Sequence, residues 1–286
     1  MLTRPILAAA LLAAAALPAD AETPLERGTY LMQHVAVCGN CHTPMGPDGP
    51  LPGMELAGGM VIEFEGAFTA HVPNITPDPE TGIGAWTDAQ IVRAIREGIR
   101  PDGTLIGPPM PFELYRGLSD GDVAALVAYL RSVPPVKNAV AKSTYSIPLP
   151  PAWGPPVESV PAPDPADRVA YGAYLAGPVA HCIECHTPMG PEGHMDYEHK
   201  LAAGGFEIPG PWGISVSANI TPHPTTGIGA WSDAEIEQAI RKGVRPDGGL
   251  LAPPMPYYGY AGMSDADMAA IIAYLRSLPP IENAVR

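Results

Sequence analysis

The sequence predicts an all-α protein in which one helical domain occurs twice, the copies joined by a proline-rich segment. Three observations predict it. The second half of the chain repeats the first; capping residues and apolar spacing mark helices at matching places in both halves; and no stretch alternates convincingly as a strand.

The repeat is long and specific. Asn74-Ile75-Thr76-Pro77 recurs as Asn219-Ile220-Thr221-Pro222, and Thr81-Gly82-Ile83-Gly84-Ala85-Trp86 as Thr226-Gly227-Ile228-Gly229-Ala230-Trp231. Arg100-Pro101-Asp102-Gly103 matches Arg245-Pro246-Asp247-Gly248, and Pro108-Pro109-Met110-Pro111 matches Pro253-Pro254-Met255-Pro256. Ala128-Tyr129-Leu130-Arg131-Ser132 matches Ala273-Tyr274-Leu275-Arg276-Ser277. The offset is 144 at the first cysteines (182 − 38) and 145 from the asparagines onward (219 − 74), which predicts one extra residue in the second copy's intervening loop.

Taken in order, Arg4, the apolar run Ile6 to Leu17 and Ala19-Asp20-Ala21 read as an export signal over 1–21, cleaved after Ala21. The first domain is placed at 22–140, the proline-rich segment at 141–164 and the second domain at 165–286. Within the copies, Leu25 to Val37 and Asp167 to Ala180 read as first helices. Middle helices start at the capping boxes Thr87-Asp88-Ala89-Gln90 and Ser232-Asp233-Ala234-Glu235 and stop at Gly98 and Gly243. Last helices run from Ser119 and Ser264 to the Pro-Pro pairs at 134 and 279, with Val123, Leu126, Val127 and Leu130 on one buried face. Between the copies, Ile147-Pro148-Leu149-Pro150-Pro151 and Gly154-Pro155-Pro156 favour extended chain.

All four cysteines fall in two pentapeptides, Cys38-Gly39-Asn40-Cys41-His42 and Cys182-Ile183-Glu184-Cys185-His186. C-x-x-C-H is the attachment pattern of haem c: both thiols bond to the porphyrin edge and the adjoining imidazole takes an axial position on iron. Two disulfides, or zinc on four thiols, leave the recurring histidine unexplained. Two covalent haems are therefore expected.

The duplication sorts the ligands. Of eight histidines only His42 and His186 correspond; His34, His71, His181, His194, His199 and His223 have no equivalent. Of eleven methionines only Met45/Met189 and Met110/Met255 correspond. The first pair lies three residues beyond the proximal histidine, on the wrong side of the ring. Met110 and Met255 lie 68 and 69 residues downstream (110 − 42, 255 − 186), far enough for the chain to wrap round the porphyrin. His42/Met110 and His186/Met255 are the expected axial pairs, and thioether ligation raises the potential. Such irons have no open position, so outer-sphere electron transfer is expected and catalysis by the chain alone is not. Carbonyls of Gly46-Pro47 and Gly190-Pro191 are the expected partners of the proximal rings. Trp86, Arg96, Arg100, Trp231, Arg241 and Arg245 recur and are candidates for the haem surround, or for plain core and turn bracing.

Net charge is −14 and unchanged by removal of 1–21, which argues against nucleic acid and anionic membranes as partners. No segment beyond the export signal is apolar enough to span a bilayer.

On these motifs the chain resembles tandem class I cytochrome c domains, and more narrowly the cytochrome c subunits of periplasmic dehydrogenases of alcohols, aldehydes, sugars or heterocycles. The resemblance implies His/Met haems that accept electrons from a periplasmic dehydrogenase and pass them to a further cytochrome, a quinone pool or an oxidase. Many members carry three haems and a C-terminal amphipathic anchor; this chain carries two motifs. The rival reading is a dihaem enzyme, such as a peroxidase or thiosulfate dehydrogenase. It requires an open iron or a ligating cysteine, and the two equivalent ligand sets offer neither.

Overall fold

The computed structural model describes residues 22–285 except 48, 192 and 211; the predicted export signal lies outside the described residues. In the first copy, Thr23 and Glu26 form a capping box on α1 (Pro24–His34). One-turn α2 (Gly39–His42) follows, then a long loop carrying two hairpins: β1 (Met45–Gly46) with β2 (Gly49–Pro50), and β3 (Val61–Phe64) with β4 (Phe68–His71). The box Thr87/Gln90 opens α3 (Asp88–Glu97), and Gly98 closes it at φ 66°, a left-handed conformation that costs glycine little. Short α4 (Phe112–Tyr115) leads to α5 (Asp120–Ser132), capped by Ser119 and stopped before Pro134.

After β5 (Thr144–Tyr145), which pairs with β4, the second copy repeats the order. It comprises α6 (Arg168–Tyr174) with a π-helical turn over Leu175–Val179, α7 (Cys182–Cys185), the hairpin of β6 (Glu207–Gly210) and β7 (Gly213–Val216), α8 (Asp233–Lys242), α9 (Tyr257–Tyr260) and α10 (Asp265–Ser277). Val123, Leu126, Val127 and Leu130 are buried, as their spacing predicts. In each copy the first helix crosses the last at a glycine: a Cβ on Gly28 would lie 1.9 Å from Ala125 O, and one on Gly172 1.9 Å from Ala270 O.

The expectation of an all-α chain fails at the hairpins. Their strands are two to four residues long, too short for alternation to stand out, and backbone pairing rather than side-chain pattern defines them. The single-insertion expectation also changes. Gly58 N donates to His42 O (2.7 Å) and Gly204 N to His186 O (2.6 Å), so these glycines correspond at an offset of 146 (204 − 58). The second copy's loop thus gains two residues, and its hairpin, paired at Gly210 and Gly213 against Phe64 and Phe68, loses one.

The copies meet about a pseudo-two-fold axis. Tyr30 of the first donates to Asp267 Oδ2 of the second (2.6 Å) and accepts from Ser264 N (3.0 Å). Tyr174 of the second donates to Asp122 Oδ2 of the first (2.6 Å) and accepts from Ser119 N (3.1 Å). α1 packs on α9, and α4 on the π-turn, in the same reciprocal sense. This is the intrachain counterpart of an isologous interface. Burial and then the aspartate raise both tyrosine hydroxyls, Tyr30 to about 12, so both remain donors. Tyr30→Phe with Tyr174→Phe strands the amides of Ser264 and Ser119 and the Oδ2 of Asp267, while Asp122 Oδ2 keeps only Arg27. At about 1.5 kcal/mol or more per charge-assisted bond, denaturant melts should show a loss of roughly 3 kcal/mol. An unchanged midpoint would show that the reciprocal bonds do not hold the copies together.

Candidate haem-binding site

The site is built on α2 and α7, each a single turn that carries Cys-x-x-Cys with the histidine at its end. His42 Nδ1 lies 2.9 Å from Pro73 O and His186 Nδ1 2.7 Å from Ala218 O. A carbonyl can only accept, so Nδ1 carries the proton and Nε2 the lone pair. Among the described residues Nε2 meets no partner. Burial lowers the pKa of both imidazoles, which favours the neutral, ligating form.

The ring partners are thus Pro73 and Ala218, not the expected Gly46-Pro47 and Gly190-Pro191. The reason lies in the residue that follows each. Buried Asn74 donates to Val136 O (2.7 Å), while its Oδ1 accepts from Thr76 N (2.9 Å) and Thr76 Oγ1 (2.8 Å). Asn219 does the same with Ile281 O and Thr221. Each asparagine ties the loop to the chain after the last helix and so fixes the carbonyl one residue earlier against the histidine. The repeated Asn-Ile-Thr-Pro was the signal for this, but only the tertiary loop shows its purpose.

The four cysteines are not bonded to one another. Burial pushes Cys38 up to about 12, Cys41 to about 11 and Cys182 to about 12, and Cys185 higher still, so all four are neutral thiols. Cys185 is raised further by Glu184, Cys182 and Cys41, the last from the other copy. Asn40 spans the boundary between the copies, accepting from Tyr258 Oη (2.7 Å). Among the described residues no three His, Cys, Asp or Glu side chains converge on a point that could hold a metal ion.

Met110 and Met255, in the loops before α4 and α9, pack half-buried against the same continuous core as Cys38 and Cys182. Met45 and Met189 are exposed. Paired thiols, a carbonyl-anchored imidazole with a free Nε2, and a thioether against the same core make a donor set that fits haem c.

Other candidates have protein partners. Arg96 pairs with Asp120 (2.8 Å) and donates to Leu118 O; Arg241 pairs with Asp265 (2.8 Å) and donates to Met263 O. Both brace the start of the last helix. Arg100 donates to Leu105 O (3.1 Å) and Arg245 to Asp247 Oδ1 (3.2 Å), each within its own turn. Trp86 and Trp231 pack half-buried on the core. The recurrence of these arginines therefore has a structural cause. Among the unmatched histidines, His34 Nδ1 lies 3.1 Å from Gly259 O at the domain boundary, and His181 Nδ1 lies 3.1 Å from Glu184. His223 Nδ1 lies 2.9 Å from Thr226 Oγ1, where the first copy uses Asp78 with Thr81 (2.7 Å).

The family model for cytochrome c matches this chain twice, over residues 25–134 and 169–279. The chain is 33% identical to the cytochrome c subunit of the quinone-type alcohol dehydrogenase of Gluconacetobacter polyoxogenes, over 92% of this chain and 58% of that protein. It is 34% identical to the cytochrome subunit of fructose dehydrogenase from Gluconobacter japonicus, over 92% of this chain and 54% of that one. It spans little more than half of those two relatives. To a dihaem c-type cytochrome of Cereibacter sphaeroides it is 34% identical, over 86% of this chain and 83% of that one. Two matched domains, two attachment turns and a dihaem relative matched over most of its length lead to one conclusion: the chain belongs to the cytochrome c family and carries two covalently bound haem c groups.

Proposed function

We propose that the chain is a periplasmic dihaem electron carrier that accepts electrons from a dehydrogenase and passes them to a downstream cytochrome or oxidase. Cys38 and Cys41 attach one haem and Cys182 and Cys185 the other. His42 with Met110, and His186 with Met255, would hold the two irons. A bound haem would supply reversible one-electron exchange. The chain supplies the rest: Pro73 O and Ala218 O hold the imidazoles in the ligating tautomer, and Met110 and Met255 lie half-buried against the shared core. The observation that carries the reading is the repeated anchoring of an imidazole beside paired thiols, His42 on Pro73 O and His186 on Ala218 O. The relatives named as dehydrogenase subunits support the donor class.

The test mixes ferric protein, loaded with two haems, with quinoprotein, flavin or molybdenum dehydrogenases and their substrates in a stopped-flow spectrophotometer. Reduction of both haems by at least one class at a rate linear in dehydrogenase concentration is expected. Steady turnover of peroxide or thiosulfate by the chain alone, with no reduction by any dehydrogenase, would sink the proposal.

A further inference from the structure

Asn40 and Glu184 hold the same place in the two attachment turns, and the copies use that place differently. Asn40 reaches into the second copy. Its Oδ1 accepts from Tyr258 Oη (2.7 Å), and its Nδ2 lies 3.5 Å from Pro254 O. A carbonyl can only accept, so the amide nitrogen faces Pro254 and the amide oxygen faces the tyrosine. Pro254 immediately precedes Met255, and Tyr258 stands three residues beyond it in α9. One side chain on the first attachment turn therefore grips the second copy's methionine loop on both sides of Met255.

The reciprocal grip does not form. In the first copy Glu113 stands at the place of Tyr258 and Pro109 at that of Pro254. Two carboxylates and a carbonyl are all acceptors, so Glu184 has nothing to exchange with them. Glu184 Oε2 lies instead 3.1 Å from His181 Nδ1, where the first copy has Val37, and Glu113 Oε1 lies 3.8 Å from His194 Nδ1. The Met110 loop is held by other means. Tyr145 Oη donates to Pro108 O (3.3 Å) and Trp153 Nε1 to Ile106 O (2.8 Å), both from the segment that follows the first copy's own last helix.

We infer that Asn40 is a positioning residue for the second iron: from the first copy's attachment turn it holds the Met255 loop where the thioether would ligate. The inference rests on the reading of Met255 as an axial ligand and adds a direction to it. Bonds made only in the ligating position of a loop favour that position, and their removal raises the population in which the loop swings away. A competing ligand binds only that open population, so its apparent affinity rises in proportion. The gain belongs to the second haem alone, because the Met110 loop takes nothing from Asn40 or Glu184.

The probe is imidazole, titrated into ferric holoprotein carrying Met110→Ala, in which the remaining sulfur-to-iron band belongs to the second haem. Adding Asn40→Leu should lower the imidazole concentration that halves this band roughly fivefold, the equivalent of about one neutral hydrogen bond. Tyr258→Phe removes only the hydroxyl of an exposed side chain and should shift the midpoint in the same direction. In a Met255→Ala background the band reports the first haem, and there neither Asn40→Leu nor Glu184→Ala should move it. A band left at full amplitude by Met110→Ala would overturn the ligand reading and this inference with it. An unchanged midpoint at the second haem in both Asn40→Leu and Tyr258→Phe, or an equal gain at both haems, would overturn the inference alone, the last by showing a general loosening.

Discussion

Met255→Ala and Met110→Ala are each expected to remove about half of the weak sulfur-to-iron band at the red end of the ferric spectrum, because the proposed ligand set gives each haem its own thioether. The potential of the affected haem should fall, since thioether sulfur favours ferrous iron. Carbon monoxide should bind one ferrous haem in each single variant and neither in the parent. Truncating a half-buried methionine on the core costs about 2 kcal/mol or more, so each variant is checked for an unshifted helical circular-dichroism spectrum before the band is read. If the band keeps its full amplitude in both folded variants, Met110 and Met255 are core methionines and the axial assignment is wrong.

Gly28→Val and Gly172→Val should cost about 3 kcal/mol or more each and lower the melting temperature by on the order of 10 °C. In a solvent-exposed helix, replacing glycine by a residue with a side chain helps. Here the first Cβ would lie 1.9 Å from a carbonyl oxygen of the last helix in each copy, so the helices must part and lose the contacts of Leu31, Val35, Leu126 and Leu130. Gly121→Ala is the matched control: it lies in the first turn of α5 with nothing within 4 Å of its Cβ, and should be neutral or mildly stabilising. A Gly28→Val protein that melts with the parent would refute the close crossing.

The two copies answer the same question twice, and their differences are as informative as their repeats. Capping boxes at Thr87 and Ser232, glycine stops at 98 and 243 and the apolar stripe of α5 depend on residues within one or two turns, and all were legible in the sequence. The hairpins were not, because four-residue strands are specified by backbone pairing with a distant partner. The recurring arginines were ambiguous for a related reason. A charge repeated in both copies can serve a cofactor or a helix start, and only the packed structure shows Asp120 and Asp265 already holding Arg96 and Arg241. Asn74 and Asn219 show the reverse: their recurrence was plain, but their role as anchors of the histidine-facing carbonyls needed the loop to close.

By itself the sequence determined the cofactor count, the repeated domain and the helices, and singled out the candidate attachment cysteines and proximal histidines, because covalent spacing and helical period are local properties. Tertiary structure alone decided which carbonyl orients each histidine and how Tyr30 and Tyr174 exchange partners across the pseudo-dyad. It alone showed that β5 covers the edge of β4. Those features join residues tens to hundreds of positions apart, and no local pattern encodes the closure of a loop or the meeting of two surfaces.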